Sequence, residues 1–135
     1  MKGITREKAR VDRIACPWLI SRFIDGEPVF LFVPAGEVMA VAEREGALPH
    51  GDRCSFDAFL SRYRLDDPAL KHLALIVRGA DTDARQLTPE SAGLYALASG
   101  FQALALDDHE NMRLQFPAYD ALYRYGRDRI ERRAS

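Results

Sequence analysis

The sequence predicts a mainly helical α+β domain, about six helices packed with a small sheet, and three observations lead there. Apolar residues recur at i, i+3, i+4 and i+7 through most of the chain, the spacing of amphipathic helices. One run, Val29-Phe30-Leu31-Phe32-Val33, is β-branched and aromatic between Pro28 and Pro34 and apolar at every position, which suits a short buried strand. Proline and glycine fall one or two at a time between such segments, and no repeat or low-complexity linker divides the chain. The 135 residues, 47% of them hydrophobic, suffice for one core that buries roughly 65–70% of the surface exposed by the unfolded chain. One domain over 1–135 is expected.

After a polar start, the first helix is expected at about 17–25, with Pro17 at its first position, Leu19, Ile20, Phe23 and Ile24 on one face, and Gly26 and Pro28 as its stop. The strand over 29–33 follows. A helix over about 36–45 carries Val38, Met39, Val41 and Ala42 up to Gly46, and a second extended piece is expected over 47–53. Ser55 can cap a helix with Phe56, Phe59, Leu60 and Tyr63 on one face. Asp67-Pro68 reads as the start of a helix whose face is Leu70, Leu73, Ala74 and Val77, closed by Gly79, with His72 on the exposed side. Thr88-Pro89 opens the next, with Leu94, Leu97, Phe101 and Leu104 as its stripe and Gly100 as its weak point. Asp107 can cap a helix from about 108. Pro117 should break or kink that helix, leaving Tyr119, Leu122 and Tyr123 as the stripe of a last segment.

Composition excludes several classes. No run approaches the ~20 apolar residues of a membrane span, and the hydrophobic content argues against disorder. The formal net charge of −1 argues against a general nucleic-acid binder, whose affinity rests on many phosphate-paired Lys and Arg side chains. Only Arg127-Asp128-Arg129-Ile130-Glu131-Arg132-Arg133 leans basic. Charge rather than an apolar stretch follows Met1, so no secretory signal is read; the expected location is the cytoplasm, with Cys16 and Cys54 as thiols.

Four clusters can carry chemistry. Cys16 precedes Pro17-Trp18, so a helix opening at Pro17 puts its sulfur at the N-cap, where partial positive charge favours thiolate. Cys54 stands at the start of another helix. Their spacing of 38 residues matches no compact redox or zinc motif, and buried packing is the alternative for both. In His50-Gly51-Asp52-Arg53-Cys54 an extended backbone sets residues 50, 52 and 54 on one face, offering nitrogen, oxygen and sulfur donors to zinc or iron; ordinary turn composition explains the same residues. Asp81-Thr82-Asp83, after Arg78-Gly79, places two carboxylates two apart on a loop, able to bind a metal, orient an imidazole or cap the next turn. Asp107-Asp108-His109-Glu110 stands at a helix start, where acids are favoured anyway, and His109 is a candidate ligand there. Arg13, Arg22, Arg53 and Arg78 flank these clusters. Planar guanidinium forks suit a tetrahedral oxyanion, while Arg13 with Asp12 and Arg78 with Asp81 can equally form structural ion pairs.

Four stretches in this order are distinctive: the run from Val11 to Asp25 containing Asp12-Arg13-Ile14-Ala15-Cys16-Pro17-Trp18-Leu19-Ile20, then Gly51-Asp52-Arg53-Cys54-Ser55-Phe56-Asp57, then Ile76-Val77-Arg78-Gly79-Ala80-Asp81-Thr82-Asp83, and Asp107-Asp108-His109. With Phe30-Leu31-Phe32-Val33-Pro34 between the first two, the chain resembles the C-terminal domain of the chromate resistance protein ChrB family, from about Val11 to Tyr125. The resemblance implies a bacterial cytoplasmic protein linked to chromate resistance and stress response. It also implies a full-length relative with an additional N-terminal domain that acts as a chromate-responsive regulator. Without that domain, DNA binding is not expected here.

The leading expectation is a binding or sensing module for a metal ion or an oxyanion such as chromate. In it His50, Asp81 and His109 are the metal ligands, for iron, zinc or manganese. Cys16 is the thiol donor or redox group, and Asp12, Arg13, Trp18, Arg22, Cys54, Arg78, Asp83 and Asp108 surround the ligand. The alternatives are a metal- or thiol-dependent oxidoreductase, reducing chromate or doing related sulfur chemistry, and a protein-interaction domain without chemistry. A homodimer is compatible with all three.

Overall fold

The computed structural model describes residues 1–6, 11–46, 48–49, 56–82, 84 and 86–134. The elements in chain order are β1 (Lys2–Arg6), α1 (Asp12–Leu19) running into a π-helical turn (Ile20–Ile24), β2 (Val29–Val33), a 3-10 turn (Ala35–Glu37), α2 (Val38–Glu45), β3 (Leu48–Pro49), α3 (Phe56–Arg62), α4 (Pro68–Asp81), α5 (Ser91–Leu104) and α6 (Asp108–Ala134). The fold is the expected mainly helical α+β class.

The sheet is parallel, in the order β2-β1-β3, with Gly3 opposite Phe30 and Leu48. Its central strand is the polar start of the chain, whose composition gives no strand signal. Strand β2 is apolar on both faces because each face has a cover. Phe30 and Phe32 turn to the main core, whereas Leu31 and Val33 pack with Val38, Val41 and Ala42 of α2. The sheet is thus a middle layer between α2 and the helical body. Of the extended piece expected over 47–53, Leu48–Pro49 is β3 and the remainder lies outside the described residues, as does Ser55.

Helix α1 is the axis of that body. Every residue from Ile14 to Ile20 is buried, so this stretch has no solvent side, and α3, α4 and α6 pack around the helix. It opens at Asp12, not at Pro17, with Ala15 donating to the Val11 carbonyl at 2.8 Å. A proline in the helix interior costs about 3 kcal/mol, and burying Ile14, Ala15 and Cys16 on a helical backbone outweighs it. The helix loosens into the π turn, where Asp25 donates to Ile20 at 2.8 Å, and ends ahead of Gly26 as expected.

Helix α4 begins as expected, with Pro68 at its first turn and the Asp67 carboxylate accepting from the Ala69 N–H at 2.8 Å. Gly79 does not close it; α4 runs on to Asp81. Gly79 is there for close packing, since a Cβ at this position would stand 2.3 Å from Ser91 Oγ at the start of α5. Gly126 does the same for α6 against His72, 2.9 Å from where its Cβ would be. His72 is accordingly half-buried rather than exposed, because α6 covers that flank of α4. Pro117 does not break α6, which is continuous over 27 residues. Pro117 and Arg113, whose carbonyl loses its helical donor, both face solvent. Asp107 caps α6 by accepting from Glu110 N–H at 2.8 Å, and Glu110 returns an acceptor to Leu106 N–H at 3.1 Å. In α5 the buried positions are Ser91, Leu94 and Ala98, whereas Leu97 and Leu104 of the expected stripe face solvent. The outward rotation follows from Ser91, whose hydroxyl donates to the Ile76 carbonyl at 3.0 Å and so turns that side of α5 onto α4.

Candidate functional site

The expected site residues separate into three places. The first is the seam between α1 and α6. Trp18 is the centre of an aromatic cluster, with Phe23, Phe56, Tyr119 and Tyr123 at ring distances of 5.8 to 6.5 Å. Its indole N–H donates to Asp120 Oδ1 at 2.8 Å. The same carboxylate accepts from Arg22 through Nε at 2.9 Å and a terminal nitrogen at 3.1 Å, and the Arg22 guanidinium lies over the Phe116 ring at 5.3 Å. The paired Arg22 holds Asp120 below the usual carboxylate range, with the Trp18 bond adding to the effect, and Asp120 in turn raises Arg22. Nearby, the Tyr123 hydroxyl donates to Asp67 Oδ2 at 2.5 Å. Burial, followed by this bond to a carboxylate, pushes Tyr123 up to about 12. Every polar group named in this seam has a partner inside the protein.

The second place is the C-terminal end of α4 beside the start of α3. Arg78, in the last turn of α4, donates to Asp57 Oδ2 at 2.7 Å, and both side chains are about half exposed. Asp81 is exposed one turn further on, as the last residue of α4. The Thr82 hydroxyl donates back to the Arg78 carbonyl at 2.8 Å and accepts from the Ala84 N–H at 3.2 Å, which fixes the exit from the helix. Two of the distinctive stretches, 21 residues apart at this contact, therefore meet here. His50, Cys54 and Asp83 lie outside the described residues.

The third place is a groove of about 450 Å³ between β2, α2 and the start of α6. Phe32, Val33 and Val41 form its apolar part, with Glu37, Arg44 and His109 at polar positions. His109 is exposed and stands edge-on to Phe32 at 5.1 Å between ring centres. Asp108 is the half-buried first residue of α6.

Cys16 departs from its expected setting. It is the fifth residue of α1, fully buried, and not at the N-cap of its own helix. The reason for expecting a reactive thiolate there is gone. Arg13 is partly buried on the same helix, and the Asp12 side chain lies outside the described residues. Among the described residues, no three His, Cys, Asp or Glu side chains are grouped so as to hold a metal ion. The described residues alone thus do not make a metal site of Asp81 and His109. No described helix is long and apolar enough to cross a membrane.

Asp57, Asp67 and Asp120 hold much of this geometry, and sequence reasoning did not single out Asp57 or Asp120. Asp57 sits in the first turn of α3, where an acid has a local electrostatic reason to be. Asp120 is on the rim of α6, next to the buried Tyr119, and its partners are about 100 residues away. The one available signal was the run Tyr119-Asp120-Ala121-Leu122-Tyr123, an acid inside an aromatic stripe.

The sequence profile of the family described as ChrB, C-terminal domain, matches residues 3–126. Protein ChrB of Cupriavidus metallidurans is 34% identical over 125 residues, which cover 87% of this chain and 35% of that protein. The chain spans about a third of the length of this curated relative. No solved structure matches it.

Proposed function

The chain belongs to the ChrB C-terminal domain family, and from that membership we propose that it is a chromate-resistance-associated binding or sensing module. Its ligand, a metal ion or an oxyanion such as chromate, docks where the end of α4 meets the start of α3. The observation that carries this reading is the Arg78–Asp57 contact at 2.7 Å, which joins two of the family-like stretches at a half-exposed, polar surface. Loops at helix ends on a rigid scaffold are common places for binding groups. The described groups here are the Arg78–Asp57 pair and, one turn on, Asp81. An oxyanion docks only if Arg78 releases Asp57 and offers its fork. His50, Cys54 and Asp83, singled out by the sequence and outside the described residues, would complete a mixed donor set suited to iron, zinc or manganese. His109 belongs to the β2–α2 groove and is not required at this site. The buried setting of Cys16 gives no support to a thiol-dependent oxidoreductase.

Thermal melting of the purified chain with chromate, sulfate, zinc, manganese or ferrous iron, together with its metal content, tests the reading. A ligand that binds only the folded state raises the melting temperature, by the equivalent of about 2.7 kcal/mol at a hundred times its Kd. The expected result is a rise with a metal ion or with chromate that is lost in Arg78→Ala and Asp81→Asn. Unchanged melting with every ligand, and no bound metal, would overturn it.

A further inference from the structure

The solvent face of α5 carries no charge. Ser91–Leu104 contains no charged residue in 14 positions, in a chain 29% charged. Ala92, Gly93, Ala96, Leu97, Gly100 and Leu104 are all exposed and, at helical spacing, share one stripe. Leu97 is 52% exposed and Leu104 74%; Leu87 ahead of the helix and Leu106 beyond it are 45% and 88% exposed. An amphipathic surface helix normally turns charged or polar residues outward, and this one turns leucine, alanine and glycine.

The glycines give a second line of argument. Gly79 and Gly126 are required inside the molecule, since a Cβ on either would collide with Ser91 or His72. Gly93 and Gly100 are interior helix positions too, yet a Cβ on either would meet nothing within 4 Å. Glycine is disfavoured inside a helix relative to alanine, and among the described residues no contact calls for these two. Glycine on an exposed stripe lets another backbone come close.

We propose that this face is the contact between two copies of the chain, with their α5 helices packed antiparallel about a two-fold axis at Ala96 and Leu97. Such an axis sets Gly93 of one copy opposite Gly100 of the other, and the end carrying Leu87 opposite the end carrying Leu106, so each contact occurs twice. Charge complementarity selects a second copy. A face without charges strands the Lys, Arg, Asp and Glu of an ordinary surface without partners, but finds none to strand on its own duplicate. Antiparallel helix dipoles oppose one another favourably. A 14-residue helix is about 21 Å long and 10–12 Å across, so its outer half with the flanking leucines offers on the order of 600 Å² per copy. Two such faces reach about 1,200 Å², the lower bound of stable interfaces, and the association is therefore concentration-dependent.

Sedimentation equilibrium of the full chain over a concentration series tests this. The mass should rise from 15.2 kDa toward twice that value. Leu97→Glu, at an exposed position, should hold the mass at 15.2 kDa with the helical circular dichroism of the parent. Met39→Glu, which alters an exposed apolar residue of α2, should associate like the parent. A parent chain that stays monomeric at the highest concentration, association that survives Leu97→Glu, or equal loss in Met39→Glu would each overturn the proposal.

Discussion

Arg22 and Arg78 are both half-exposed arginines bound to an aspartate, and they are held in opposite ways. Arg22 makes two bonds to Asp120, lies on Phe116, and shares its carboxylate with Trp18, the one tryptophan of the chain. Arg78 makes one bond, to Asp57, at a helix end that also carries the exposed Asp81. The first arrangement joins α1 to α6 and leaves no carboxylate oxygen without a donor. The second is a single bond between one guanidinium nitrogen and one oxygen of Asp57. Residue type and exposure are the same; the number of fixed partners separates an anchor of the fold from a place where a ligand can compete.

Three substitutions sharpen that contrast. Trp18→Ala should have the largest effect, a loss of about 3–5 kcal/mol in denaturant unfolding, because it empties the centre of the aromatic cluster and removes a donor from Asp120. Asp120→Asn should cost less, no more than about 1 kcal/mol after allowance for solvent screening of a partly exposed pair, and it should change the acid limb of stability. The folded Asp120 carboxyl takes up its proton less readily than the unfolded one. Its contribution is therefore complete above the unfolded value of about 3.9, and drains away as the pH falls from there through the lower folded value. Stability measured against pH should fall over that acid window in the parent and more shallowly in Asp120→Asn. Arg78→Ala should have the smallest effect on unfolding, about 0.5 kcal/mol or less, while abolishing any shift in melting temperature caused by the ligand. A large stability loss in Arg78→Ala would put this arginine in the same class as Arg22.

Much of the fold was legible because it rests on local pattern. The faces of α3 and α4, the Asp67-Pro68 start and the Asp107 cap are written in adjacent residues, and all appear in the structure. The departures arise where distant packing decides. Lys2–Arg6 becomes the central strand because β2 and β3 flank it. The start of α1 moves to Asp12 because the burial of Ile14, Ala15 and Cys16 on a helical backbone outweighs the cost of Pro17. Gly79 reads as a helix stop yet is a contact with Ser91. For the site, Arg78 and Asp81 stood out from their motif, and Trp18 and Arg22 from theirs. Asp57 and Asp120 did not, since their importance lies in partners 21 and about 100 residues away.

The burial of residues 14–20 also constrains the order of assembly. The Tyr119 hydroxyl of α6 donates to the Val11 carbonyl at the mouth of α1 across 108 residues of sequence. A chain leaving the ribosome exposes the buried stretch of α1 about 100 residues before the part of α6 that covers it. Until Tyr119 has emerged, Ile14, Trp18 and Leu19 lack their final neighbours, and long-range closure of this kind is slow relative to helix formation. The nascent protein thus carries this segment incompletely covered until α6 has emerged, and α6 completes α1.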